Sequence, residues 1–306
     1  MIHRFRVLAR SIGITAAMAA SAACTVAPPT PPAPAEIAAS AGPALWKVAD
    51  EDTTIYLFGT VHALPKDVEW YGGPVATALN SAQVLVTEIP SGALKEPAVQ
   101  QAFVARAMLP EGQTLRAMLS AEQRTTFEGA MAKLGLPAEA FDKFEPWFAA
   151  LTLATIPMLK AGYSLEAGVE TAVEAKAGPG VERGALETVE EQLELFDGMP
   201  MAAQTTYLVS VAEQIDEVVP GLNAMVAAWA RGDADGLAKL MNEELDDPVL
   251  ADRLLYARNR DWAEWVETRL ADPGTVFVAV GAGHLAGANS VQDYLAKEGL
   301  TVTRVQ

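Results

Sequence analysis

The chain has 306 residues, of which 51% are hydrophobic and 20% are charged, so it is long and apolar enough to bury a large core and does not resemble a disordered chain. It carries 22 Lys and Arg against 39 Asp and Glu, a formal charge of −17, and such an acidic surface argues against nucleic-acid binding. The single cysteine, Cys24, excludes an intrachain disulfide and a zinc site built from cysteines.

The first 23 residues have the pattern of a secretory signal peptide. Arg4, Arg6 and Arg10 occur without any acidic residue. Residues 11–23 are small or apolar, and this stretch is too short to span a bilayer permanently. We therefore predict export to the periplasm or cell envelope.

Cys24 lies where this signal peptide would be cleaved. It follows Ser21-Ala22-Ala23, an order that resembles a bacterial lipobox, in which the cysteine is lipidated and becomes the first mature residue. The alternative is ordinary cleavage after an Ala-x-Ala-like site. Residues 24–43 are rich in proline and predict a stiff linker that holds a domain away from a membrane. We predict a lipid anchor on Cys24.

The folded domain is predicted to span residues 44–306. An apolar, β-rich strand over 54–58 ends at Gly59, a helix follows over 74–82, and a second strand lies over 83–88. A strand, a crossover helix and a strand form a right-handed unit with a parallel sheet.

The middle of the chain is predicted to be a helical insertion over about 98–271. Residues 141–159 form its most apolar stretch and predict a buried helix or helix pair, kinked because of Pro146 and Pro157. The insertion also contains a weaker strand candidate and several long helical stretches: 181–187 for the strand, and 188–196, 200–230 and 247–271 for the helices.

The clearest buried strand of the chain is predicted over 275–280 and ends at Gly281. A helix over 288–298 and a last strand over 301–305 complete the chain. We therefore predict an α/β fold, in which the two ends of the chain build a central mixed or parallel sheet and a large helical insertion lies between them in the sequence.

Two strands of this predicted sheet are followed by the same pattern, Gly-x-x-His. The first is Gly59-Thr60-Val61-His62 and the second is Gly281-Ala282-Gly283-His284. A lone histidine near a strand end is usually a hydrogen-bonded structural residue, but these two are all the histidines that remain once His3 is removed with the signal peptide. The carboxyl ends of parallel strands are where α/β folds place their sites, and neutral imidazole is a common metal ligand.

A site of two imidazoles needs carboxylates to complete it. Glu88 ends the second strand and would lie at the same edge of the sheet as His62, although a solvated acid at a strand end is the simpler interpretation. Glu187 ends the weak strand just before a helix, where it would also suit the helix dipole. Thr188 and Glu191 have the spacing of a capping box.

Taken together, these motifs resemble the TraB/GumN family, which includes the Tiki proteins and is related to ChaN-like haem-binding proteins and erythromycin esterase-like enzymes. The resemblance covers about 45–305. It rests on the two Gly-x-x-His motifs with their flanks and on three further segments: Val86-Thr87-Glu88, Leu186 to Gln192, and Arg258-Asn259 with Trp262.

The resemblance implies an α/β core with a helical insertion and, as in the Tiki proteins, a peptidase that depends on a divalent metal ion. It implies that His62 and His284 are metal ligands and that Glu88 is a third ligand or the general base. We therefore predict metal-assisted hydrolysis of a peptide or another small substrate, with Mn, Co or Zn as the ion.

The same resemblance suggests roles for three further residues. Glu187 is expected to be a ligand or to orient one. Arg258 is expected to stabilise an oxyanion or to hold a substrate carboxylate, and Asn259 to add a neutral donor. The alternative function is a non-catalytic envelope lipoprotein that binds haem, a metal or a glycan and assists polysaccharide export.

Overall fold

The computed structural model describes residues 42–242 and 248–306. The predicted signal peptide, Cys24 and the linker up to residue 41 lie outside the described residues, so the predictions made for them remain predictions. Within the part of the chain that is described, no helix combines the length and the apolar character needed to cross a membrane.

The core of the fold is a six-stranded mixed sheet in the order β6-β4-β7-β2-β1-β8. A separate two-stranded ribbon joins β3 to β5. The strands are β1 (Leu45–Ala49), β2 (Thr53–Thr60), β3 (Leu64–Pro65), β4 (Val84–Thr87), β5 (Tyr163–Ser164), β6 (Glu182–Ala185), β7 (Gly274–Gly281) and β8 (Val302–Arg304).

Helices cover both faces of the sheet and build the insertion. They are α1 (Gly73–Ser81), α2 (Pro97–Arg106), α3 (Leu115–Met118), α4 (Ala121–Leu134), α5 (Pro146–Lys160), α6 (Val169–Lys176), α7 (Val189–Asp197), α8 (Met201–Glu213), α9 (Val218–Ala230), α10 (Ala234–Asn242), α11 (Pro248–Ala251), α12 (Ala257–Arg269) and α13 (Val291–Lys297).

The predicted α/β fold with a mixed sheet is confirmed. The strand, helix and strand predicted near the start of the domain are β2, α1 and β4, and β2 and β4 are parallel. They are not neighbours, however, because β7 lies between them and pairs in parallel with both. Strand β7, the last strand but one along the chain, thus lies in the interior of the sheet.

The sequence of β7 explains its central position. Phe277 and Ala279 pack into the hydrophobic cluster on one face of the sheet, whereas Val276, Val278 and Val280 pack into the cluster on the other face. A strand that is apolar on both faces is stable only where both faces are covered, and this requirement places it inside the sheet.

The observed helices differ from the prediction in two places. The single helix expected over 200–230 is two helices, α8 and α9, joined by a 3-10 turn at Ile215–Glu217. Pro220 accounts for the break, because its ring would clash with the carbonyl four residues earlier in a continuous helix. Residues 248–269 contain a π-helical turn, Asp252–Tyr256, just before α12.

Four elements of the described chain were not predicted: β1, α10 and the two strands of the ribbon, β3 and β5. Strand β1 forms a hairpin with β2 in which the Asp50 carboxylate accepts hydrogen bonds from the backbone N–H groups of Asp52 and Thr53. A short strand of this kind is stabilised by its partner and its turn, so it has little signal of its own.

The insertion has a hydrophobic core of its own, centred on α5. Helix α5 begins at Pro146 and contains Pro157, and its side chains Trp147 and Phe148 are almost completely buried. The ring of Phe103 from α2 packs against both of these aromatic rings. The predicted buried helix is therefore correct from residue 146 onwards.

A partly buried ion pair ties two segments of the insertion together. Arg116 donates two hydrogen bonds to Asp142, with lengths of 2.9 and 2.6 Å. These hydrogen bonds hold the pKa of Asp142 below its ordinary value of 3.8, despite the opposing effect of burial. Because the lowered pKa belongs to the folded state, the stability that this pair contributes is present above pH 3.8 and is lost as the pH falls below that value.

Asp142→Asn is therefore expected to lower the free energy of unfolding by about 1 kcal/mol at neutral pH, since water screens a partly exposed pair. Urea denaturation at neutral and acidic pH measures this, and the difference from the wild type should disappear in acid. Asp216→Asn, in the exposed pair with Lys133, is the control and should have almost no effect. Equal effects of the two variants would contradict the prediction.

Candidate functional site

The two Gly-x-x-His motifs lie side by side. Strands β2 and β7 are parallel neighbours, and Thr60 is paired with Gly281, so both motifs leave the sheet at the same edge. The two loops are in close contact, because a Cβ atom at Gly59 would lie 3.0 Å from the Cα atom of Ala282. A glycine at this position permits that approach.

His284 is buried, and both of its ring nitrogens have partners. Asn259 donates to the carbonyl of Asn289 with its Nδ2 atom at 2.7 Å, which leaves its Oδ1 atom to accept from His284 Nδ1 at 2.6 Å. Nδ1 therefore carries the proton, and Nε2 accepts from the Arg258 guanidinium at 3.0 Å. Burial, together with the positive charge of Arg258, lowers the pKa of His284 to about 3.

Arg258 is the central residue of this buried cluster. It donates to both carboxylate oxygens of Glu187 at 2.6 and 2.9 Å and to Glu88 at 2.8 Å. Its Nη1 atom contacts His284 and also donates to the carbonyl of Leu254 at 3.1 Å. These five contacts use all five N–H groups of the guanidinium. Arg258 therefore holds the carboxylates of Glu88 and Glu187 in fixed positions.

Trp262 completes the cluster from the same helix, α12. Its indole N–H donates to Glu187 at 3.1 Å, and its ring lies 4.3 Å from the ring of His284, centroid to centroid. The guanidinium carbon of Arg258 lies 4.7 Å from the centre of the same indole. The indole therefore contacts three members of the cluster and limits their movement.

Glu88 connects the buried cluster to a cavity. Besides Arg258, it accepts hydrogen bonds from the backbone N–H of Gly281 at 2.7 Å and from the Gln192 side chain at 2.8 Å. Burial alone would raise the pKa of Glu88, but the positive charge of Arg258, with smaller contributions from the two histidines and the Gly281 N–H, outweighs this, and the pKa lies well below its usual range. Glu88 is thus held as a carboxylate.

His62 lies on the cavity side and is paired with a different carboxylate. Its Nδ1 atom is 2.8 Å from Glu170, the second residue of α6, and the Thr60 hydroxyl donates to the same oxygen. Burial lowers the pKa of His62, but the charge and hydrogen bond of Glu170 outweigh it and raise the pKa to about 9. Glu88 adds to this increase, so the two halves of the site share one electrostatic environment.

The cavity has a volume of about 630 Å³. His62, Glu88, Glu170 and Gln192 line it. Its other walls come from the segment after β4 and from the end of α5 with the β5 ribbon, and they include the apolar residues Ile89, Pro90, Leu94, Leu159 and Leu165. A cavity with convergent polar groups and apolar walls is the usual form of a small-molecule or peptide site.

The resemblance seen in the sequence motifs is confirmed by a comparison with protein families. The TraB/PrgY/gumN family model matches residues 44–304. This chain belongs to the TraB/PrgY/gumN family. The family assignment covers the whole sheet, the insertion and the candidate site.

One relative is similar to this chain over most of its length. An uncharacterized protein of Treponema pallidum (strain Nichols) is similar to it, with 24% identity over 272 residues, which is 83% of this chain and 80% of that protein. No solved structure gives a significant match to the chain.

The structure brings the predicted site residues into one region. Glu88, Glu187, Arg258, Asn259 and His284 form one hydrogen-bonded cluster, and His62 shares the cavity with Glu88. Glu88 is not a solvated acid at a strand end, because its side chain is only 12% exposed and pairs with Arg258. Glu187 also pairs with Arg258, and it lies directly before a helix as its alternative interpretation expects. Helix α7 begins after Glu187, with the expected capping box between Thr188 and Glu191. The chemical roles of these residues remain predictions.

Three contacts of the candidate site were not predicted from the sequence. Glu170 lies far along the chain from His62 and has no local pattern that marks it. Gln192 lies inside the segment that resembles the family, but its contact with Glu88 depends on the position of α7. Trp262 belongs to the motifs that carry the family resemblance, and its spacing of four residues from Arg258 places both on one helix face, which could have revealed their contact.

Proposed function

We propose that this protein is a hydrolase of the cell envelope that uses a divalent metal ion and acts on a peptide or another small substrate in the cavity beside His62 and Glu88. The observation that carries the proposal is the meeting of both Gly-x-x-His loops at one edge of the sheet, with the ionised Glu88 reaching from the buried cluster to the cavity wall. Export and a lipid anchor on Cys24 are part of the same proposal.

The donor atoms fit a metal ion in part. His62 and Glu88 line the cavity and are the residues that would hold the ion, since imidazole and carboxylate suit Mn, Co and Zn. Nε2 of His284 lies against the Arg258 guanidinium, so His284 would join only if Arg258 withdrew. Among the described residues, no three His, Cys, Asp or Glu side chains form a group that could hold an ion.

When bound, a divalent ion would lower the pKa of a water molecule and polarise the scissile carbonyl. The protein's own residues have supporting roles. Arg258 and Gln192 hold the Glu88 carboxylate in place and ionised, which suits a ligand better than a general base. The apolar walls of the cavity exclude water and contact the side chains of the substrate.

His62→Ala and His284→Ala test the proposal. We expect His62→Ala to lose most of the bound metal and the hydrolysis, because it removes a ligand on the cavity wall. Elemental analysis after incubation with Mn, Co or Zn salts measures the first, and mass spectrometry of a peptide mixture measures the second. The exposed Asn80→Ala is the control. Unchanged metal content in both histidine variants would refute the ligand assignment.

The alternative of a non-catalytic binding protein is tested with the same preparation. Addition of haem should give no Soret band if the cavity is a hydrolytic site. A strong Soret band that is lost in His62→Ala, without any metal-dependent cleavage of peptides, would replace the proposed function by haem binding.

A further inference from the structure

We infer that Glu170 is a positioning residue for His62: its carboxylate holds Nδ1 of the imidazole and so leaves Nε2 as the nitrogen that acts in the cavity. The role of Nε2 in the cavity rests on the proposed function, but the hydrogen bond between His62 and Glu170 does not depend on any activity. A carboxylate only accepts hydrogen bonds, so the nitrogen facing Glu170 must carry the proton.

The contact between Glu170 and His62 is built into the backbone. The N–H of Val169 donates to the carbonyl of Val61 at 2.9 Å, which ties the first turn of α6 to the loop that carries His62. At Gly168, a Cβ atom would lie only 2.2 Å from the carbonyl oxygen of His62. Helix α6 therefore starts directly against the motif, at a distance that only glycine allows.

The side chains around Glu170 support the same role. An acid in the first turn of a helix is common because it suits the helix dipole, and that effect alone needs no specific partner. Here the carboxylate faces the cavity beside His62, the Thr60 hydroxyl also donates to it, and the His62 and Glu170 side chains are only 26% and 23% exposed. Thr60 is buried at the end of β2, so its hydroxyl fixes the carboxylate from the sheet.

The second motif has the same construction with a different partner. Nδ1 of His284 is held by the neutral Asn259, whereas Nδ1 of His62 is held by a carboxylate. Nε2 of His284 accepts from Arg258, so we assign the role in the cavity to Nε2 of His62 alone. A charged acceptor on Nδ1 increases the basicity of the other ring nitrogen, so Glu170 makes His62 the stronger donor of the two imidazoles.

The inference is tested on the chain without residues 1–23, in which His62 and His284 are the only histidines. Proton NMR of the imidazole N–H groups should show two strongly hydrogen-bonded Nδ1–H signals. Glu170→Ala should abolish the signal of His62 and preserve that of His284, which serves as an internal reference. Glu264→Gln, an exposed acid on α12, is the matched control and should preserve both signals.

Two conservative variants separate positioning from folding. Glu170→Gln retains an oxygen that can accept from Nδ1, so the His62 signal should persist at a weaker shift. Thr60→Val retains the shape of Thr60 but removes its hydrogen bond, and should broaden the signal. Metal affinity or hydrolysis should fall by about 10–100-fold in Glu170→Ala and by less in Glu170→Gln.

An unchanged His62 signal in Glu170→Ala, with the fold intact by circular dichroism, would overturn the inference. If Glu170→Ala fails to fold, an unchanged His62 signal in Thr60→Val would overturn it instead. Loss of the signal in a protein that neither binds metal nor cleaves peptides would support the positioning role and count against the proposed function alone.

Discussion

Replacing Arg258 by methionine is expected to lower the free energy of unfolding by about 3–5 kcal/mol, because it leaves two carboxylates inside the protein without their cation. The Arg258 side chain is 7% exposed, and those of Glu88 and Glu187 are each 12% exposed. Methionine fills much of the space but supplies none of the five hydrogen-bond donors. Urea denaturation followed by tryptophan fluorescence measures the change.

Arg258→Lys shows whether positive charge alone is sufficient. Lysine retains the charge, but a single ammonium group cannot bind Glu187 through two parallel bonds while it also contacts Glu88 and His284. We expect a stability between those of the wild type and the methionine variant, together with a loss of the proposed hydrolysis because Glu88 moves.

Arg260→Met is the matched control for both variants. Arg260 lies two residues further along the same helix and pairs with Asp252 at the surface, where the two side chains are 47% and 52% exposed. Its replacement should change the free energy of unfolding by less than about 1 kcal/mol. If Arg258→Met cost no more than Arg260→Met, the buried cation would not organise the site.

Gly168→Ala is expected to destabilise the protein by about 1–3 kcal/mol and to displace His62, because one added carbon atom would clash with backbone atoms. Its Cβ would lie 2.2 Å from the carbonyl oxygen of His62 and 2.9 Å from that of Leu165, and neither atom can rotate away as a side chain would. Urea denaturation measures the stability, and the NMR signal of the His62 imidazole reports the displacement.

Gly129→Ala is the control for a glycine substitution in a helix. Gly129 lies inside α4, and a Cβ atom there would meet no other atom within 4 Å. Alanine at this position should stabilise the protein by about 0.5–1 kcal/mol, because it has the higher helix propensity. A Gly168→Ala variant that is as stable as Gly129→Ala would show that α6 is free to move away from His62.

Much of the fold could be predicted because its main elements carry local signals. The runs 54–58 and 275–280 are apolar and rich in β-branched residues, and each ends at a glycine, so their character as buried strands does not depend on their partners. The helix break before Pro220 was present in the sequence as well, but the apolar pattern on both sides concealed it.

The site was only partly predictable because its contacts join distant parts of the chain. Motif spacing drew attention to His62, His284 and Glu88, which all follow strands. The partners of these residues come from helices of the insertion: Glu170 from α6 and Gln192 from α7. No local pattern records how those helices pack on the sheet edge, since the packing depends on the whole hydrophobic core.

By itself, the sequence determined the α/β class of this protein, its apolar strands and the family to which it belongs, because each depends on residues close together in the chain or on motifs that can be compared directly. Only the tertiary structure decided that β7 lies between β2 and β4, that Arg258 neutralises Glu88 and Glu187 together, and that Glu170 faces His62. These arrangements arise from the burial of side chains that are far apart in the chain, and the free energy of that burial belongs to the assembled core as a whole.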